Sequence, residues 1–195
     1  MNERELQNRA RNGDFEAFSE LVKMHSDRIY RLALKMTKNR DDAEDAVQNT
    51  FLKAVDKIDQ FKGESTFGTW IYSIALNEIR GHFARSNKMA INTIEDYLPA
   101  GHGKNSNELF DWGNPHEYME NRQIQDFITE TLRNMPDNYS VPFILRYMEE
   151  MSVKEIAEIL KLSVPATKSR ILRARLALRQ KLSDYLEENK SEKVR

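Results

Sequence analysis

The stretch SVKEIAEILKLSVPATKSRILRARLALRQKL, Ser152 to Leu182, reads as two helices separated by a short turn, the second rich in cations. Ser152 can cap a free backbone N–H at the start of the first helix, and Glu155, three residues on, can return a bond to the N–H of Ser152. Val153, Ile156, Ala157 and Leu160 then recur at helical spacing. The turn Lys161-Leu162-Ser163 has no glycine, but Ser163 can cap the second helix, and Pro165 is tolerated in its first turn.

At about 100° per residue, Val164, Thr167, Ile171, Ala174, Leu178 and Leu182 fall on one arc of the second helix and are expected to pack inward. Pro165, Lys168, Ser169, Leu172, Arg173 and Leu176 fall on the opposite arc, with Arg170 and Arg175 on the flanks. Flank cations suit phosphates and groove-facing side chains suit bases if this helix enters a major groove. Between Lys161 and Lys181 there are seven Lys or Arg and no acid. A merely solvated helix would mix Glu with Lys. Leu172 and Leu176 on the wet face suit contact with thymine methyl groups better than water.

Composition narrows the alternatives. The 195 residues carry a net charge of −1, so polyanion affinity must come from local clustering such as this helix. Without cysteine there is no disulfide, thiolate metal site or thiol nucleophile. No apolar run approaches the roughly 20 residues needed to span a bilayer, and the N-terminus MNERELQNRARNGD is polar rather than a signal peptide. These features predict a cytoplasmic protein with no membrane insertion. His25, His82, His102 and His116 are not at metal-ligand spacing, and no phosphate-cradling loop or nucleophile motif occurs. No catalytic, cofactor-binding or metal-binding residue is expected.

The fold expected is all-α: two small helical domains joined by a flexible linker. Residues 5–86 lack proline. Phe15, Phe18, Leu21, Val22, Ile29, Leu32, Ala33 and Met36 give a helical period. A third helix begins near Asp41, where Asp41, Asp42, Glu44 and Asp45 complement the helix dipole, with Ala46, Val47, Phe51, Leu52, Val55 and Ile58 as its buried side. After a loop at Gln60 to Ser65, an amphipathic helix runs from Thr66 or Thr69 to about Arg85, mixing Trp70, Tyr72, Asn77, Arg80, His82 and Arg85 around Ile74 and Ala75. Aromatic groups beside cations are what unpaired bases need for stacking and charge neutralisation. Residues 88–116 lose the period and read as a linker whose Tyr97, Leu98, Phe110 and Trp112 can dock elsewhere. Helices resume from about Glu117, with Ile124, Phe127, Ile128, Thr131 and Leu132 on one face. Pro142 is expected to kink the following helix or delay its start.

Three blocks in this order resemble the extracytoplasmic-function (ECF) sigma factors of the sigma-70 family, in their sigma-E-like branch. DDAEDAVQNTFLKAV is similar to the family's core-polymerase-binding helix, FKGESTFGTWIYSIALNEIRGHFAR to its −10 reader, and Ser152 to Leu182 to its −35 reader. The resemblance implies region 2 over 1–87, a linker over 88–116, region 4 over 117–188 and a polar tail over 189–195. It implies that Asp45, Gln48, Phe51 and Leu52 grip the β′ coiled coil of the RNA polymerase core. It implies that Phe61, Lys62, Gly63, Glu64 and Ser65 form the loop receiving an extruded −10 base, with Trp70, Asn77 and Arg80 along the single strand. For the −35 duplex it implies Lys168, Ser169, Arg170, Leu172, Arg173 and Arg175, with Arg146 as a phosphate contact. An anti-sigma factor is the implied inhibitor. Pro165-Ala166-Thr167 replaces the family's Gly-Thr-Val, Ser73 stands where a basic residue is common, and Gly81 weakens its helix by roughly 1 kcal/mol relative to Ala. The alternatives are an autonomous helix-turn-helix repressor or activator, and a nucleic-acid-processing enzyme using the acidic cluster.

Overall fold

The computed structural model describes residues 2–63, 65–86, 94 and 122–192, and side chains within the first and last helical stretches only to Gly81 and Glu187. Among the described residues there are eight α-helices and no strand: α1 (Glu3–Arg11), α2 (Phe15–Thr37), α3 (Arg40–Lys57), α4 (Phe67–Ser86), α5 (Arg122–Asn134), α6 (Asp137–Tyr147), α7 (Val153–Leu160) and α8 (Val164–Glu192). A 3-10 turn, Ile58–Gln60, follows α3. The expected linker 88–116, and residues 117–121 at the expected start of the second domain, lie outside the described residues apart from Ile94. Helix α8 runs on to Glu192, into the segment read as a polar tail. The chain divides into two compact units; α1–α4 belong to the first, and α5, α6, α8 and the first part of α7 to the second.

In the first unit, Asp14 fixes the corner between α1 and α2. One carboxylate oxygen caps α2 by accepting from the Ala17 N–H at 3.0 Å, while the other holds the Arg9 guanidinium at 2.7 Å. The Ala17 N–H first, and then Arg9, hold the Asp14 carboxyl below its usual range. Gly13 makes the preceding turn with φ +84°, a left-handed conformation that costs glycine nothing. Helices α2, α3 and α4 pack on one another and α1 packs on α2. Leu21, Ile29, Leu32, Ala33, Phe67, Ile71, Ala75 and Ile79 supply the closed core. Each large side chain there contributes about 1.5–3 kcal/mol. Such burial outweighs an exposed helix-surface ion pair such as Arg40–Glu44, whose charges remain in high-dielectric solvent.

Two expectations about burial are corrected. Phe15, the first residue of α2, is 74% exposed, and Ala17 and Phe18 face the core instead. On α3 the buried stripe is Ala43, Ala46, Thr50 and Ala54, whereas Leu52 and Val55 point to solvent. Small residues on that stripe leave room for close packing against α2 and α4. Thr50 satisfies its hydroxyl by donating to the Ala46 carbonyl at 2.6 Å.

In the second unit α5 and α6 pack along α8. Phe127 of α5 stacks on Tyr185 of α8 with centroids 4.4 Å apart. Pro142 neither delays nor ends α6, which starts at Asp137, five residues earlier, and carries Pro142 in its buried interior. The proline lacks an N–H, so the Asn138 carbonyl loses its usual helical donor.

His25 of α2 is half-buried against Phe67, their ring centroids 5.6 Å apart, and beneath Gly68, where an added Cβ would meet its Cε1 at 3.1 Å. The Glu3 carboxylate stands 3.4 Å from Nε2 but is not aligned to accept a hydrogen bond, so this buried nitrogen is unpartnered. Burial pushes the imidazole below its usual value of 6.5, more than the Glu3 charge raises it, with Arg28 adding to the depression. Between 6.5 and that lower value the unfolded chain binds a proton that the folded chain resists, so stability falls as pH falls through this window. Urea midpoints at about pH 7.5 and about pH 5.5 should therefore separate more for the wild type than for His25→Leu. Equal separation would show that His25 is not the proton acceptor responsible.

Candidate nucleic-acid interface

Helix α8 owes its orientation to one arc. Thr167, Ala174, Leu178 and Leu182 are fully buried and Ile171 nearly so, with Ala177 joining them. Val164, expected on this arc, is instead exposed at the helix start. Lys168, Ser169, Leu172 and Arg173 consequently face solvent, as do Pro165 and Leu176, and Arg170 and Arg175 are half-buried on the flanks. Leu172, 55% exposed, is an apolar side chain presented to solvent on this face.

The caps anticipated from the sequence are formed. Ser152 N–H donates to Glu155 Oε2 at 2.8 Å, and Glu155 N–H donates to Ser152 Oγ at 3.2 Å. Ser163 Oγ accepts from Ala166 N–H at 3.3 Å, and its carbonyl accepts from Thr167 N–H at 2.9 Å and from the Thr167 hydroxyl at 3.0 Å. In the turn Lys161 adopts φ +53°, the left-handed conformation usually given to glycine. Arg146 reaches forward from α6 and donates to the Met151 carbonyl at 2.8 Å, which ties the end of α6 to the chain entering α7.

On α4, Trp70, Asn77 and Arg80 share a face along about 15 Å of helix. Asn77 is exposed, while Trp70 and Arg80 are half-buried. The preceding loop is anchored by Phe61, 2% exposed, whose ring lies 6.0 Å from Phe67 and 5.1 Å from Trp70. Phe61 is thus a core residue, whereas Lys62 and Gly63 are exposed and Ser65 is half-buried. Gly63 takes φ +74°, and Thr66 caps α4 by accepting from Thr69 N–H at 3.1 Å. Glu64 and the side chains of His82 and Arg85 lie outside the described residues.

On α3, Asp45, Gln48 and Leu52 form one exposed stripe continued by Val55, with Phe51 half-buried beside it. The stripe is polar at its N-terminal end and apolar at its C-terminal end, as suits a protein surface better than an anion. Neighbouring Lys53 crosses to Glu78 of α4 at 2.6 Å. Among the described residues no group of three or more His, Asp or Glu is placed to hold a metal ion, and no helix is long and apolar enough to cross a membrane.

Family models for Sigma-70 region 2 and Sigma-70 region 4 match residues 21–89 and 128–178. The chain is 32% identical to the ECF RNA polymerase sigma factor SigW of Bacillus subtilis, over 89% of this chain and 93% of that one. It belongs to the ECF sigma factors. The ECF RNA polymerase sigma-E factor of Haemophilus influenzae is likewise 32% identical, over 93% of this chain and 95% of its own. Among solved structures, CnrH in complex with the cytosolic domain of CnrY is similar with a TM-score of 0.68 and 25% identity, covering 95% of this chain and 97% of that one. The fold is shared with RpoE of Bartonella quintana, solved with the anti-sigma factor NepR, at a TM-score of 0.59 and 22% identity, over 85% and 96% of the two chains. The sigma factor therefore directs promoter-specific transcription initiation, and the matches favour this over the autonomous repressor or activator. Its relatives are initiation factors.

Sequence reasoning missed Tyr139, whose hydroxyl accepts from Arg173 Nη1 at 3.4 Å across α6 and α8. No periodicity marks it, because the pairing joins residues distant in sequence.

Loss of the Ser152 cap should be measurable. Ser152→Ala is expected to lower stability by about 0.5–2 kcal/mol in denaturant unfolding followed by helical signal. An unchanged midpoint would mean that α7 does not depend on this cap.

Proposed function

We propose that this sigma factor joins core RNA polymerase through α3, captures the −10 strand with α4 and its preceding loop, and reads the −35 duplex with α8. The observation that carries the proposal is the division of α8 into a buried arc and an outward face bearing Lys168, Ser169, Leu172 and Arg173. Arg170 and Arg175 then lie beside phosphates and fix register, while Arg173 addresses a guanine edge and Leu172 a thymine methyl. The Arg146 guanidinium keeps its place at the Met151 carbonyl and adds charge near the backbone.

Asp45, Gln48, Phe51 and Leu52 form the docking face for the β′ coiled coil. Polar groups on this stripe set specificity, and Leu52 supplies apolar area. At the −10 element, Lys62, Gly63, Glu64 and Ser65 receive the extruded base, with Phe61 anchoring the loop from the core. Trp70, Asn77 and Arg80 track the strand. Unstacking a base costs a few kcal/mol, and stacking and capture offset it. Residues 1–87 act as region 2 and 117–188 as region 4, with 88–116 between them and 189–195 at the end. The protein acts in the cytoplasm, is not an enzyme, and is held inactive by an anti-sigma factor; the RpoE chain of similar fold is solved in complex with the anti-sigma factor NepR.

Reconstituted transcription with bacterial core polymerase on a promoter pool tests the whole reading, which fails if the chain gives no promoter-dependent initiation. Arg173→Ala should cost about 1–3 kcal/mol in −35 recognition. An unaltered −35 preference would put the reading face elsewhere. Replacing Asp45 and Gln48 together with Ala should weaken polymerase binding while leaving the helical content and unfolding midpoint intact; unfolding instead would remove the docking interpretation.

A further inference from the structure

Arg173 differs from its neighbours on the outward face of α8 in being linked to another helix of the same unit. Its Nη1 donates to the Tyr139 hydroxyl at 3.4 Å. Tyr139 is itself well placed to act as a fixed post. It lies in the first turn of α6, its own N–H donates to the Pro136 carbonyl at 2.9 Å, and α6 packs along α8. The residues next to Tyr139, Ser140 and Val141, are buried, so the phenol projects from a backbone that cannot easily shift.

An exposed arginine samples many rotamers and must lose that freedom to form a two-pronged contact with a base. A guanidinium has five N–H donors in a planar fork. Spending one donor on a phenol oxygen leaves the remaining edge to address guanine O6 and N7. The phenol costs the arginine none of its charge, unlike a carboxylate in the same position. We infer that Tyr139 is a positioning residue for promoter recognition, holding the Arg173 guanidinium in its reading orientation before the −35 duplex arrives. The inference rests on the proposal that Arg173 faces the major groove. It gives the start of α6 a part in sequence selection, although Tyr139 itself touches no base.

The test uses the complete sigma factor with core polymerase, transcribing a promoter pool in which each −35 position is varied in turn. Four proteins are compared: wild type, Tyr139→Phe, Arg173→Ala and the double variant. Tyr139→Phe keeps the ring and removes only the hydroxyl. It should flatten preference about two- to tenfold at the same −35 position that Arg173→Ala flattens, with the −10 profile unchanged. The double variant should be no flatter than Arg173→Ala alone. If Arg173→Ala flattens a position and Tyr139→Phe leaves it as in the wild type, the positioning role is overturned while the −35 assignment stands. If Tyr139→Phe flattens a position even without Arg173, Tyr139 reads DNA directly and the role is again overturned. If Arg173→Ala changes nothing, the groove-facing assignment fails and takes the inference with it.

Discussion

Burial of Thr167, Ala174, Leu178 and Leu182 fixes how α8 is rotated about its own axis. Each residue of a helix advances about 100°, so turning α8 by the single position that brings Arg170 outward would carry Lys168 round to the buried arc. Returning four core side chains to water to permit that rotation would cost several kcal/mol. A DNA-reading surface requires this rigidity, because base-edge hydrogen bonds discriminate only when the donor arrives in a defined direction. The two serine caps act with the core: Ser152 and Ser163 determine where α7 and α8 begin, and the core determines which way α8 faces.

Helix α3 solves the opposite problem, presenting apolar side chains rather than hiding them. Hydropathy nominated its largest apolar residues as the buried side, and for Leu52 and Val55 that expectation fails. Alanine and threonine occupy the contact with α2 and α4 because closely spaced helices select small volume at the crossing. A sequence pattern weighted by hydrophobicity discounts such residues. The resemblance of DDAEDAVQNTFLKAV to a polymerase-binding helix had independently given Leu52 a surface role, which agrees with its exposure. The same weighting placed Phe15 in the core, whereas its position at the first turn of α2 turns it outward.

Other features were legible because their causes are local. A serine three residues before glutamate announces a capping box whatever surrounds it, and the inner and outer arcs of α8 follow from helical period alone, except at Val164, where the helix begins and neighbours on one side are missing. The contacts that sequence could not reveal join separate elements: His25 of α2 with Phe67 of α4, Phe61 of the loop with Trp70 of α4, and Tyr139 of α6 with Arg173 of α8. For Phe61 this changes the physical account of the loop proposed to meet the −10 element. A ring held in the core gives the loop a fixed foot, and the exposed Lys62 and Gly63 are what the loop offers to solvent.

The start of α8 shows how a local substitution redistributes work across the proposed reader. The first four N–H groups of a helix lack intrahelical partners and commonly serve a phosphate. Here Pro165 has no N–H, and the Ala166 N–H is occupied by Ser163 Oγ. At most Ser163 and Val164 retain backbone donors for DNA at this end. The family's Gly-Thr-Val start would supply one more donor and place its hydroxyl one residue earlier, while in this chain the sole threonine of the triplet, Thr167, is buried and turns its hydroxyl back to the Ser163 carbonyl. Backbone positioning by the helix terminus is therefore diminished, and side-chain cations must carry more of it. Lys168 and Arg170 lie one turn further along, where they can supply charge without the fixed direction of a backbone amide. Directional control then depends more heavily on groups that are held in place, which is why a tethered Arg173 matters more in this chain than it would behind an amide-rich helix start.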